Sequence, residues 1–218
     1  MLFRSLTQRA HETGLASVHW LTAEVQSSAS ATLAPLGHQI LRTMDMDRAR
    51  TRKRVTERLG LLGSQDEGEI DAMMALLGPY PGEEDQHEVE FERAKARYVL
   101  VRRLLQRRSV LRPLILVLDE AHESQSAIAF ARHLLRAQDY APHPILVLLT
   151  VGGHDLSHET QLQLQEFSAL EGVTSLELQP LEPDDREVLV REILGLDPEL
   201  AAIVARRSGG NPQFAVQL

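Results

Sequence analysis

The sequence contains no cysteine and few aromatic residues. Among its 218 residues there is no Cys, and Phe, Trp and Tyr together make up 4%. The lack of cysteine excludes a disulfide framework, a thiolate zinc site and a cysteine nucleophile, and it suits a cytoplasmic protein. A hydrophobic core must therefore be built from Leu, Val, Ile and Ala. The proportions of 43% hydrophobic and 25% charged residues are typical of a globular chain.

Long apolar runs and a positive net charge are also missing. No apolar run approaches the roughly 20 residues that a helix needs to span a bilayer. The N-terminal residues, MLFRSLTQRAHETG, lack the pattern of a secretory signal. The formal net charge of −8 at pH 7 argues against nucleic-acid binding through the overall field. Two basic stretches, residues 48–54 and 102–108, are interpreted as solvated helix faces. We therefore expect a cytoplasmic protein with no membrane and no nucleic-acid partner.

Four short apolar segments are predicted as β-strands. They occupy residues 15–21, 114–120, 145–151 and, with a weaker pattern, 173–179. Their nearly continuous apolar residues are typical of strands that are buried on both faces. Because helical patterns separate these strands, the sequence predicts an α/β fold with a parallel sheet and right-handed crossovers.

The helical patterns divide the chain into two regions. Residues 1–179 are predicted to form an α/β domain with a mostly helical insert at about 22–111, and residues 180–218 the start of a helical lobe. Ser124, Gly195 and the glycines near residue 209 supply helix-start and helix-stop signals. The predicted helices are residues 2–13, 88–108, 124–137, 156–170, 183–194, 198–207 and 212–218.

The predicted strand at 114–120 ends in two carboxylates, Asp119 and Glu120. Open α/β sheets bind ligands at the carboxyl ends of their strands. In phosphoryl-transfer sites the first carboxylate of such a pair orders Mg²⁺ and its waters, and a neighbouring one polarises the attacking water. Thr150, at the end of the next strand, could reach a γ-phosphate or that water. Two exposed carboxylates at a strand end are the alternative interpretation.

A third element is the turn at residues 206–214, RRSGGNPQF. Gly209 and Gly210 interrupt the helix, Asn211 can cap the next helix, and Pro212 fits its first turn. By itself this pattern indicates a helix-to-helix turn. Because the turn follows the predicted strands in this order, the combined pattern is more specific than a helix-to-helix turn alone.

In this order, the segments resemble the nucleotide-binding module of the STAND class, the multidomain signalling relatives of AAA+ ATPases. Such modules occur in bacterial regulators, including fusions with kinases and repeat arrays. The family's Walker B strand resembles LILVLDEAH, its sensor-1 strand ILVLLTV, and the lead into its lid LQPLEPDD. Its Gly-x-Pro element resembles SGGNPQF, and the segment after its second strand resembles SATLAPLGHQILRTM.

The resemblance implies a three-layer parallel sheet of the AAA+/STAND P-loop type, followed by a partial helical lid, with ATP and Mg²⁺ as cofactors. Asp119 would order Mg²⁺ and Glu120 would activate water. Thr150 would stand at the end of the sensor-1 strand. Gly210, Asn211 and Pro212 would lie at the nucleotide, with the proline against the base.

One part of that family pattern is missing. No Gly-x-x-x-x-Gly-Lys-Ser/Thr motif, the Walker A phosphate loop, occurs in the sequence. In the family the first strand and this loop precede the helix that we predict at 2–13, and the strand order is 5-1-4-3-2. A central strand would then be absent, leaving its neighbours to pair directly or to keep an open edge. We expect a truncated module of a signalling ATPase, acting with other domains or proteins, without ATP hydrolysis on its own.

Three other interpretations remain open. The first is a non-catalytic protein-interaction or scaffold module derived from the same fold. The second is a helicase fragment, since residues 119–122 spell DEAH, although the other helicase motifs are missing. The third is a metal hydrolase that uses His154 and His158 with Asp155 or Glu159.

Overall fold

The computed structural model describes residues 2–23, 29–80, 94–152, 156–179 and 181–209. These residues form three strands, which are β1 (Ser17–Thr22), β2 (Leu114–Asp119) and β3 (Ile145–Leu149). They also form the helices α1 (Leu2–Glu12), α2 (Ala29–Leu41), α3 (Arg48–Leu61), α4 (Glu67–Leu77), α5 (Ala94–Leu111), α6 (Gln125–Ala137), α7 (His158–Ser168), α8 (Pro183–Leu194) and α9 (Pro198–Arg207).

The strands form one parallel sheet in the order β1-β2-β3. This confirms the predicted α/β class and parallel pairing. Only the central strand β2 is buried along its length, whereas β1 and β3 are partly exposed edge strands. The prediction that every strand is buried on both faces is therefore wrong for β1 and β3, because among the described strands each has a neighbour on one side only.

The two faces of β2 contribute to different apolar clusters, because alternate residues of a strand point to opposite faces. Leu116 and Leu118 belong to the main core, which the helices of the insert also build. Ile115 and Val117 lie in a smaller cluster on the other face. Leu146 of β3 is in register with Ile115 on that second face, and 48% of it is exposed.

The described residues of the insert between β1 and β2 are mostly helical, and α5 contributes Val101, Leu104 and Leu105 to the main core. A partly buried ion pair links α4 to α5, since Arg107 Nη1 lies 2.7 Å from Glu69 Oε1. Charge-assisted hydrogen bonds of this kind are stronger than neutral ones. None of the described helices has both the length and the apolar content that crossing a bilayer requires.

The predicted fourth strand, residues 173–179, is wrong. This segment is irregular, with Leu176 and Leu178 exposed to 78% and 65%. Its alternating apolar residues match the period of a strand, but a strand is stable only when another strand satisfies its backbone groups. No strand in the described part of the chain pairs with it.

The chain divides into two compact units, Met1–Val173 and Thr174–Leu218. In the second unit, α8 and α9 pack through Val190, Ala201 and Ala205. Both helices were predicted with the observed bounds, because each begins with a proline and Asp197 caps α9 by accepting backbone hydrogen bonds. The helix predicted from residue 212 lies outside the described residues.

Candidate functional site

The carboxyl ends of β2 and β3 bring two predicted site residues into contact. Asp119 is the last residue of β2, and Thr150 directly follows β3. Because the strands are parallel and in register, their ends meet at the same edge of the sheet. Thr150 Oγ1 donates a hydrogen bond of 2.5 Å to Asp119 Oδ1. Both side chains are half-buried.

Thr150 is held in place by its backbone as well as its side chain. Its N–H donates to the carbonyl oxygen of Leu118 at 3.0 Å, and its own carbonyl accepts from the N–H of Ala121 at 2.9 Å. Its hydroxyl oxygen also accepts from the N–H of Glu120 at 2.9 Å. The threonine therefore fixes the carboxylate of Asp119 and the backbone turn that follows it.

Glu120 has an unusual backbone conformation for its residue type. Its φ of 54° and ψ of 38° lie in the left-handed region, and its side chain is exposed. A residue with a Cβ atom is disfavoured there by about 1–2 kcal/mol. The strain arises because the chain leaves β2 and turns at once into a 3₁₀ turn, Ala121–Glu123. Stability alone would favour glycine at this position.

Replacing Glu120 by glycine is therefore expected to raise the free energy of unfolding by about 0.5–1 kcal/mol, because glycine adopts positive φ without strain. Urea denaturation of the purified variant measures this change. The matched control is Glu123→Gly in the same turn, which has no positive φ and should lose stability. A loss of stability in Glu120→Gly would contradict the strain argument.

His122, which was not among the predicted site residues, joins the turn after β2 to the loop after β3. Its Nδ1 accepts a hydrogen bond from the N–H of Gly152 at 3.2 Å, and its Nε2 lies 3.2 Å from Glu123 Oε1. A Cβ atom on Gly152 would lie 3.2 Å from the imidazole, which is a tight contact. The glycine lets the loop approach the ring, although the sequence alone gave no sign of this pairing.

The site offers hard oxygen ligands: the carboxylates of Asp119 and Glu120 and the hydroxyl of Thr150. Mg²⁺ is commonly held by one or two carboxylates, several waters and the phosphates of a substrate. Among the described residues no group of three or more His, Asp or Glu side chains could hold a metal ion by itself. The residues present thus fit Mg²⁺ bound together with a phosphate ligand.

Asp119, Glu120 and Thr150 are the predicted site residues that the structure describes at these strand ends; the remaining candidates belong to the turn at 206–214 and to the histidine pair. Gly210, Asn211 and Pro212 lie outside the described residues. So does His154 of the proposed histidine pair, while His158 is an exposed residue at the start of α7. The metal-hydrolase interpretation gains no support from the part of the chain that the structure describes.

Comparisons with known proteins returned no match. No protein-family model fits the chain, and neither the curated proteins nor the solved structures include a match to it.

Proposed function

We propose that this chain is a nucleotide-binding module of a signalling ATPase, in which binding of Mg²⁺-ATP acts as a conformational switch. The hydrogen bond between Thr150 and Asp119, at the carboxyl ends of neighbouring parallel strands, carries the proposal. The strand order β1-β2-β3 supports it, because that order agrees with strands 2, 3 and 4 of the order 5-1-4-3-2. The module would be of the AAA+/STAND type, with the region after residue 180 as part of a lid.

Each predicted site residue has a distinct role in this proposal. Asp119 would hold Mg²⁺ through its bound waters, with a carboxylate whose orientation Thr150 fixes. Glu120, exposed beside it, would accept a proton from the attacking water in a module that also supplies a phosphate loop. Gly210, Asn211 and Pro212 bind the nucleotide, with Pro212 against the base. Mg²⁺, when bound, neutralises charge on the phosphates during transfer.

Asp119, Glu120 and Thr150 supply only some of the groups that bind a nucleotide phosphate. In P-loop proteins the backbone N–H groups and the lysine of the phosphate loop provide most of the contacts. That motif does not occur in the 218 residues. We therefore expect weak binding of Mg²⁺-ATP, with a Kd on the order of 1 mM, and no measurable ATP hydrolysis by this chain.

Titration of ¹⁵N-labelled protein with Mg²⁺-ATP, followed by NMR, tests this proposal. We expect the amide signals of residues 119–122 and of Gly152 to shift, and the shifts to disappear in Asp119→Asn. Asp139→Asn is the matched control, because Asp139 is an exposed carboxylate away from these strand ends.

The absence of any shift, or equal shifts in wild type and Asp119→Asn, would overturn the proposed function. ATP turnover that Glu120→Gln abolishes would refute only the expectation that this chain does not hydrolyse ATP.

A non-catalytic interaction module is the second candidate function. The observation that favours it is the open edge of β3, which lies at one side of the sheet. In the order 5-1-4-3-2 this edge is the one that the first strand of the family occupies, so a partner strand at β3 would take that place.

A further inference from the structure

Four arginines lie where the strands begin, at the end of the sheet opposite to the candidate site. Arg42 directly follows α2, Arg58 lies in the last turn of α3, and Arg108 lies in the last turn of α5. Arg112 stands between α5 and β2, and a Cβ atom on Gly14 would lie 3.7 Å from its guanidinium group. The fold thus brings together cations from separate parts of the chain.

The positive charges of these arginines act on one another. Burial lowers the pKa of Arg108, and the charges of Arg42, Arg58 and Arg112 lower it further, with no carboxylate among the charges that act on it. The Nε atom of Arg108 is buried and has no hydrogen-bond partner among the described residues. In that same part of the chain none of the four guanidinium groups forms an ion pair.

The helix ends beside these arginines offset only part of their charge. The C-terminus of a helix carries about half a negative elementary charge, and a cation placed there stabilises the helix. The helices α2, α3 and α5 all end at this side of the sheet. Together they balance about one and a half of the four positive charges, so a surplus of about two and a half remains.

Exposed aliphatic side chains accompany the arginines. Leu61, the last residue of α3, is 77% exposed, and Val110 and Leu111 at the end of α5 are 81% and 66% exposed. A single exposed leucine is ordinary, whereas several on one surface mark a site of interaction. We call the four arginines and these three side chains the basic apolar patch.

We propose that the basic apolar patch binds an acidic segment of another protein, in which carboxylates alternate with apolar side chains. A guanidinium group can bind a carboxylate through two parallel hydrogen bonds. The apolar side chains of the segment would cover Leu61, Val110 and Leu111 and remove them from water. Because the patch lies at the other end of the strands, this inference does not depend on nucleotide binding.

The composition of the patch favours a protein partner. Arginine is enriched and lysine is depleted in protein–protein interfaces, and all four cations of the patch are arginines. Single-stranded nucleic acids stack their bases on aromatic side chains, and proteins at membrane interfaces commonly use Trp and Tyr. The patch contains no aromatic residue.

The charge of the whole chain favours a short segment over an extended anionic surface. The formal net charge is −8, so the residues outside the patch have an even larger negative excess. A membrane or a nucleic acid extends beyond the patch and would be repelled by those residues. A segment confined to the patch responds mainly to the arginines, because charges more than about 8 Å away are screened at physiological salt.

Fluorescence anisotropy with synthetic peptides tests the proposal. A labelled peptide of repeated Leu-Glu-Glu-Leu units, about four helical turns long, should bind the 218-residue chain with a Kd on the order of 10 μM. One control peptide has Gln in place of Glu and keeps the leucines. Another has Ser in place of Leu and keeps the charge. Each control should bind at least about tenfold more weakly, because the patch offers both kinds of contact.

Charge reversal in the protein identifies the binding surface. Arg112→Glu should raise the Kd of the Leu-Glu-Glu-Leu peptide at least about tenfold, because a carboxylate then faces the carboxylates of the peptide. Lys95→Glu is the matched control, since Lys95 is exposed at the opposite end of α5, about 20 Å from Arg108 along the helix axis. This variant should bind the peptide like wild type.

Removal of one exposed leucine tests the apolar part of the patch. Leu61→Ser should raise the Kd of the peptide about fivefold, because less apolar surface is covered on binding. Leu176→Ser is the control, since Leu176 is exposed to a similar degree, 78%, and should leave the Kd unchanged. Circular dichroism verifies that all four variants fold.

Several results would overturn the proposal. They are a Leu-Glu-Glu-Leu peptide that does not bind up to about 1 mM, an Arg112→Glu variant that binds it like wild type, and an equal loss of affinity in Lys95→Glu. Tighter binding to phosphatidylserine vesicles or to single-stranded RNA than to the peptide, lost in Arg112→Glu, would assign the patch to that surface instead.

Discussion

Replacing Phe130 by alanine is expected to lower the free energy of unfolding by about 3–5 kcal/mol, or to prevent folding. Phe130 is fully buried on α6, and its ring centroid lies 5.6 Å from that of Tyr98 on α5. These two helices flank β2 in the sequence and belong to the same core. The substitution leaves a cavity at their contact, and urea or thermal denaturation measures the loss.

A second phenylalanine provides the control. Phe167 of α7 is only partly buried at the margin of the same core, so Phe167→Ala should cost less than Phe130→Ala. Equal losses in the two variants would show that the contact between α5 and α6 is not the centre of the core. Phe130→Leu, which keeps much of the apolar volume, should recover part of the loss.

Acidification is expected to destabilise the protein through His19. Burial is the main cause that lowers the pKa of His19 to about 4, and the positive charge of Arg108 lowers it further. Among the described residues its buried Nε2 has no hydrogen-bond partner that could accept a proton. The folded state therefore favours the neutral imidazole, whereas the unfolded chain has the ordinary pKa of about 6.5.

The direction of the pH effect on stability follows from this difference in the pKa of His19 between the folded and unfolded states. Above pH 6.5 the histidine is neutral in both states, and its contribution to stability is complete. As the pH falls from 6.5 towards 4, the unfolded chain binds a proton that the folded protein does not, and up to about 3 kcal/mol is lost. Chemical denaturation at a series of pH values measures this loss.

His19→Leu should remove this part of the pH dependence, because leucine does not titrate and fits a partly buried apolar position. The control is His158→Leu, since His158 is exposed and its replacement should leave the wild-type profile. Parallel acid losses in wild type and His19→Leu would show that other groups, such as carboxylates, account for the whole effect.

The three observed strands were all predicted from the apolar residues in their sequences. β2 was identified because its continuous apolar residues fit a strand between two helical layers, and β1 and β3 were found near it with small shifts of their ends. The segment 173–179 has the alternating leucines Leu176 and Leu178 rather than a continuous apolar run, and it forms no strand. Periodicity reports which face of a segment is apolar, and it contains no information about a pairing partner.

At the candidate site, too, the sequence predicted part of the arrangement and not the rest. Thr150 was predicted to lie at the end of the strand next to that of Asp119, because the ends of adjacent parallel strands coincide, whereas its direct hydrogen bond to Asp119 was not predicted. The left-handed conformation of Glu120 and the approach of Gly152 to His122 were not predicted. Both depend on the path of the chain after the strands end, which residue types alone do not determine.

The amide of Gln39 also protects one margin of the sheet. It donates to the outward C=O of Trp20 at 2.6 Å and accepts from the outward N–H of the same residue at 3.3 Å, so at this point β1 offers no free backbone groups to a further strand. Unpaired backbone groups on an edge strand are a template for association with another chain. This one glutamine therefore lowers the tendency of the β1 edge to take up a foreign strand.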